Sequence, residues 1–165
     1  MERPKIKLKT PLIGRLFDGV ALMILAASAI NIFMQWSSLP AQVPSHYNAL
    51  GEPDAWSSKE FIFVPLIIGT ILWVGMHILE KFPHIHNYSG LTAENTEQLY
   101  KNSMLMLNFL KNELMLIFAL GSWNDIRVAN GNDSFLGRWD LPLPLLIIFG
   151  TLLFFIWRSV KLKKV

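Results

Sequence analysis

Four long apolar runs, set apart by polar and turn-rich passages, give this chain its pattern. They predict helices over about residues 16–36, 60–80, 98–121 and 141–158. Each comes close to the roughly 20 residues with which an α-helix crosses about 30 Å of hydrocarbon. The expected fold is an all-α integral membrane protein, one domain over residues 1–165. Its four transmembrane helices carry a structured extracytoplasmic loop, residues 36–60, between the first and the second.

Local signals refine the four elements. In the first, Arg15 and Asp18 are three apart and can pair on one face at the inner boundary. Ala26, Ala27, Ser28 and Ala29 offer a flat surface to a neighbouring helix, and Asn31 is an interhelical hydrogen-bonding group. Ser57-Ser58-Lys59-Glu60 fits a capping box at the start of the second helix, Pro65 predicts a kink inside it, and Gly69 and Gly75 leave room for a neighbour. Thr92, followed by Glu94 and Glu97, predicts a helix start near Ala93, with that helix running to about Leu120. Residues 122–140 read as a polar loop reversing at Asn130-Gly131-Asn132-Asp133, and Leu141-Pro142-Leu143-Pro144 as the entry to the fourth helix.

The third helix is the most polar. At about 100° per residue Lys101, Asn108, Lys111 and Asn112 share a stripe, with Glu113 to the side. Charges at membrane depth are costly and should face the bundle interior, a partner or water. Two readings stay open: a polar pathway or ligand contact, and an internally paired seam that fixes packing.

Composition supports a membrane class. The chain is 52% hydrophobic and 16% charged, with a mean hydropathy of +0.37, whereas about 25% charged residues are usual in soluble domains. Net charge +3 and a pI near 9.3 do not imply nucleic acid, because no recognition module accompanies the basic residues. Most of those residues lie in the flanks 1–15, 80–102 and 158–165, including Arg3, Lys5, Lys7, Lys9, Arg158, Lys161, Lys163 and Lys164. The passages 36–60 and 122–140 hold only Lys59, Arg127 and Arg138, which predicts a cell membrane protein with both termini cytoplasmic. Trp36, Trp56, Trp123 and Trp139 then fall together at the outer boundary as an aromatic belt. The first apolar run is too long for a signal-peptide core and is read as retained. With no cysteine there are no disulfides or thiolate sites.

The 36–60 passage reads as a compact cap made of turns. Pro40 and Pro44 hold Leu39 and Val43 extended, Asn48 and Gly51 suit turn positions, and Pro53-Asp54 begins another turn. His46, Glu52 and Asp54 can meet within it. His84 and His86 alternate, but without a third ligand in the same turn they are read as structural. No His-Glu-x-x-His helix or Gly-x-Ser-x-Gly elbow is present, and the expectation is a protein without enzymatic activity, cofactor or metal. The candidate ligand-binding residues are His46, Tyr47, Asn48, Glu52, Asp54, Trp56 and Lys59.

Leu39-Pro40, Val43-Pro44, His46-Tyr47-Asn48, Gly51, Pro53-Asp54, Trp56 and Lys59, at these spacings, resemble the signature of a membrane family called domain of unknown function 1648. That domain also forms the N-terminal part of the SdpI-type toxin-immunity proteins of bacteria. The resemblance covers about residues 12–80, and Asn87-Tyr88, Leu91-Thr92 and Glu94-Asn95 through Tyr100 look like stand-alone four-span members. Nothing here corresponds to the further membrane region of the SdpI type. The resemblance implies a multi-pass bacterial membrane protein, and by association one that binds or senses an extracellular peptide or lipid ligand, with immunity to a membrane-active peptide toxin as one form. Alternatives are a transporter subunit using the polar seam of the third helix, a metal-assisted enzyme at the membrane surface with His46, Glu52 and Asp54 as ligands, and a scaffold for a homo-oligomer or another membrane protein.

Overall fold

A computed structural model describes residues 3–163, so Lys164 of the basic C-terminal flank lies outside the described residues. Four helices are long and apolar enough to cross a membrane. They are α1 (Leu12–Gln35), α2 (Val64–Glu80), α3 (Thr96–Ala129) and α4 (Pro142–Leu162). Between α1 and α2 stand two antiparallel strands, β1 (Gln42–Tyr47) and β2 (Pro53–Ser58). Short 3-10 turns occupy Lys59–Phe63, Pro83–Ile85 and Gly137–Trp139.

The helix packing is organised by α3, which lies against each of the other three. Its most apolar stretch is 44% buried, against 17%, 17% and 6% for the other three spans, so α3 is the core helix and the others are its lipid-facing coat. Their outward side chains, such as Met23, Phe33, Ile71, Leu146 and Leu153, stand exposed, as hydrocarbon solvent permits. Small residues set the approach of α1 and α2 to α3. Ser28 is fully buried and donates to the Ala119 carbonyl at 3.0 Å, and a Cβ on Gly69 would lie 3.0 Å from Phe118 Cβ.

The chain between α1 and α2 is a β-hairpin where turns alone were expected. Asn48 organises its tip: the side-chain oxygen accepts from the Leu50 and Glu52 amides at 2.9 and 3.1 Å, and Gly51 takes φ +79°. Pro44 lacks a backbone donor, and the register shifts between Pro44 and His46 and again between His46 and Tyr47; such an irregularity is how a two-stranded edge admits a proline. Pro53-Asp54 opens β2 instead of a turn. The inner side, through Leu39 and Val43, joins a core with Ile32, Ile62, Leu66, Ala119 and Ile126, which seats the hairpin on the helix ends.

Several other expectations are corrected. Pro65 stands in the first turn of α2, where a missing amide costs nothing, so it starts the helix and does not kink it. The capping box at Ser57–Glu60 does not form, because β2 runs through Ser58 and a 3-10 turn follows. At α3 the reciprocal bonds join Thr92 and Asn95, whose side chains accept each other's backbone amides at 2.8 and 3.3 Å; the helix starts at Thr96, not Ala93. It also runs nine residues past Leu120, and Asn130-Gly131 is its C-terminal stop. Gly131 (φ +79°) donates to the Val128 carbonyl and Asn132 to that of Arg127, a Schellman closure. Asn31 bonds within α1 to Gln35 and not to another helix.

The hairpin tip abuts the loop before α4. A Cβ on Gly51 would lie 2.3 Å from the Gly137 carbonyl oxygen, in a backbone conformation that already disfavours side chains. Gly51→Ala should therefore cost at least about 1–2 kcal/mol from conformation alone. At about 2–4 °C per kcal/mol for this size, a Tm drop of several degrees in detergent is expected. Gly75→Ala, where an added Cβ meets nothing within 4 Å, should leave Tm unchanged or raise it.

Candidate functional site

Polar side chains gather at two levels of α3, near its C-terminal end and at its middle. At the hairpin end, the candidate ligand residues are mostly satisfied by one another. His46 Nδ1 lies 2.5 Å from Asp54 Oδ1 across the two strands. Glu52 does not join them; its carboxylate accepts from Asn48 Nδ2 at 3.1 Å. Lys59 folds back, its ammonium 4.3 Å from the centre of the Trp36 ring and 3.4 Å from the Trp36 carbonyl. Trp56 projects from β2 with nearly half its surface exposed. Sequence spacing thus brings His46 and Asp54 together as expected and leaves Glu52 apart.

Tyr47 ties the hairpin to α3. Its hydroxyl donates to Asp125 Oδ1 at 2.7 Å. Burial, then the adjacent Asp125 carboxylate, hold the phenol far above its ordinary range, so it stays a neutral donor at any physiological pH. Asn124 next door accepts from the Phe135 amide at 2.9 Å, and the Arg127 guanidinium stacks 5.1 Å over the Phe135 ring. Asp125 escapes sequence reading because residues 122–129 look like loop; as helix, they present Asn124 and Asp125 to the two outer segments.

Midway along α3, near the start of α1 and the end of α2, the three helices meet in a buried ionic cluster. Lys111 is fully buried, and its ammonium bonds Glu80 Oε2, His77 Nδ1 at 2.9 Å and Asp18 Oδ1 at 3.1 Å. Asn108 Nδ2 and Asn112 Nδ2 add donors to Asp18 at 2.9 and 2.8 Å, and the Thr10 hydroxyl donates to Glu80 Oε1 at 2.8 Å. Trp73 stacks on His77 with ring centres 4.8 Å apart and donates to Asn112 Oδ1 at 2.7 Å. Gly14 admits Asn108: a Cβ there would stand 2.9 Å from the amide oxygen.

The expected stripe of α3 divides accordingly. Asn108, Lys111 and Asn112 share the cluster. Lys101 is exposed and pairs with Glu97 at 2.6 Å one turn away, because it lies on the outward face of α3, while Tyr100 and Asn102 beside it are buried. Glu113 turns to α4, where Thr151 donates to its Oε1 at 2.6 Å and the other carboxyl oxygen has no partner. Asp18, read as a partner of Arg15, bonds across to α3 instead, since its side chain points inward while Arg15 is exposed. His77 and Glu80, in the last turn of α2, are cluster members as well. The i, i+3 spacing that sets them on one face of α2 was available in the sequence, but the opposing Lys111 was not.

The His86 ring lies in a separate network, 2.9 Å from both the Ser103 hydroxyl and the Leu79 carbonyl, and burial lowers its proton affinity. Tyr88, bonded to the same Ser103, is pushed up to about 12 by burial. Both groups fasten the 82–95 connection, in keeping with a structural role for His86.

The fold defines a class: a four-helix membrane protein whose first two spans are joined by a hairpin seated on the third. Residues 22–70, from mid-α1 through the hairpin into α2, match the model of the family described as a domain of unknown function (DUF1648), the family whose signature the 36–60 passage resembles. No curated protein and no solved structure matches the chain.

Tyr47→Phe removes the side-chain hydrogen bond from β1 to α3 and leaves Asp125 without that donor. A bond to a charged group contributes about 1.5–3 kcal/mol. Amide exchange across residues 42–58 should therefore rise by about tenfold or more, given about 1.4 kcal/mol per tenfold. Exchange in α4 should not change.

Proposed function

We propose that this protein binds or senses an extracellular ligand on the hairpin, in a bacterial cell membrane, with both termini cytoplasmic. The observation that carries the reading is the hairpin's economy of partners. Its polar groups are spent on holding its own shape and its seat on α3, so a preformed surface with Trp56 at its face remains for contact. A large aromatic side chain held on a rigid strand binds at little cost in conformational entropy. The His46–Asp54 pair beside it supplies polar complementarity. A peptide or lipid-associated ligand fits such a surface, and immunity to a membrane-active peptide is the narrower form that the family resemblance suggests.

The membrane orientation rests on charge. Lysines and arginines crowd the end bearing both termini, while the hairpin end holds few and carries the tryptophan belt. The role is read as binding and not catalysis, in keeping with Glu52 standing apart from His46 and Asp54. Transport along α3 has less support, since Lys101 and Glu113 leave the stripe in different directions.

The chain contains no cysteine, so a single introduced thiol reports cleanly. Leu50→Cys at the exposed tip should be labelled by a membrane-impermeant maleimide on intact cells; labelling only after permeabilisation would reverse the orientation. A photoreactive residue in place of Trp56 should capture a peptide or lipid species that the same residue at Ile71, on the lipid face of α2, does not. Identical capture from both positions would remove the hairpin as a ligand site.

A further inference from the structure

The cluster around Lys111 has an uneven charge. Every hydrogen bond to its two carboxylates is donated to them: by the Lys111 ammonium and the Asn108 and Asn112 amides, whose nitrogens cannot accept, and by the Thr10 hydroxyl. Asp18 and Glu80 thus act throughout as acceptors, the role of two carboxylates. The ammonium has no acceptor capacity, so His77 Nδ1, 2.9 Å from it, must be the acceptor. The ring is therefore neutral, with its proton on Nε2. Two carboxylates against one ammonium leave a surplus negative charge among residues largely withdrawn from water, where such charge is costly. Other charges facing His77 do not cancel it, as Lys81, at the C-terminal end of α2, is exposed to solvent.

We infer that this cluster is a binding site for one proton, received on Nδ1 of His77. His77 is its most open member, with a side chain 31% exposed against 0% for Lys111, 2% for Glu80 and 16% for Asp18. Protonation places a hydrogen where Lys111 now donates. The Lys111–His77 bond is lost, and the new N–H has an acceptor at hand in Glu80 Oε2, 4.0 Å from Nδ1 and one turn along the same helix. Two cations then face two anions, and the surplus is removed. The bond that is exchanged joins α2 to α3, so proton occupancy sets how firmly those helices are tied. The inference is independent of the proposed ligand reading, because it concerns the middle of α3, away from the hairpin, and needs no ligand.

The test is histidine-selective ¹⁵N NMR on the full chain in detergent micelles, where only four histidines contribute and His77→Gln identifies the signal. Above the transition the ring should be the neutral Nε2–H form, and below it doubly protonated, while the His86 signals keep their folded positions. Asp18→Asn retains an acceptor but removes the surplus charge; it should lower the midpoint by about one pH unit, a tenfold weaker proton affinity. A ring that stays neutral until the protein unfolds overturns the inference. So does a neutral form protonated on Nδ1, or a midpoint that Asp18→Asn leaves unmoved.

Discussion

An ammonium with no access to water is the constraint around which this fold is arranged. Lys111 is fully buried in a helix bundle whose outer surface is apolar, and removing such a charge from water is tolerated only where opposite charge and hydrogen bonds replace the solvent. The replacement comes from separate helices: Asp18 from α1, and His77 and Glu80 from α2. Their shared demand draws α1 and α2 onto α3 at one level, and the glycine at position 14 gives Asn108 the space to reach the same carboxylate. In a bilayer, where lipid tails compete on equal terms with apolar side chains, polar ties of this kind specify which faces meet.

The same helix carries the second polar station. Asp125 lies 14 residues beyond Lys111 on α3, a rise of about 21 Å at 1.5 Å per residue. One continuous helix therefore links the ionic cluster to the seat of the hairpin. Fastening is graded along its length: Tyr47 and the apolar core secure the hairpin, Lys111 secures α1 and α2, and Asn102 and Glu113 hold α4 through Ser159, the Phe155 carbonyl and Thr151. With few polar contacts and the smallest share of buried residues, α4 is the least constrained of the four.

The four spans were legible in the sequence, since length and apolar continuity are local properties. So was the importance of the passage 36–60, from its prolines and turn residues. Its hairpin was not, because Pro44 and Pro53 argue against strands unless the strands are short, paired only with each other and irregular in register. The missing turns of α3 had a signal that was read for a different purpose: Asn130-Gly131 marks a helix end as readily as a loop reversal. The cluster lay further from reach. Asp18, His77 and Glu80 each sit near a helix terminus, where boundary anchoring accounts for a charge equally well. Only the rotation of α1 and α2 about their axes, a property of the assembled bundle, turns them toward Lys111.

The most direct measurement of this account is the thermal stability of matched variants in detergent. Lys111→Met alone strands two buried carboxylates, and breaking such a pair costs about 3–5 kcal/mol. A variant that also carries Asp18→Asn and Glu80→Gln removes the charge altogether. The account predicts that the single variant loses the folded bundle or melts far below the native protein, and that the triple variant recovers most of the difference. A single variant as stable as the native protein, or a triple variant no better than the single, would contradict it.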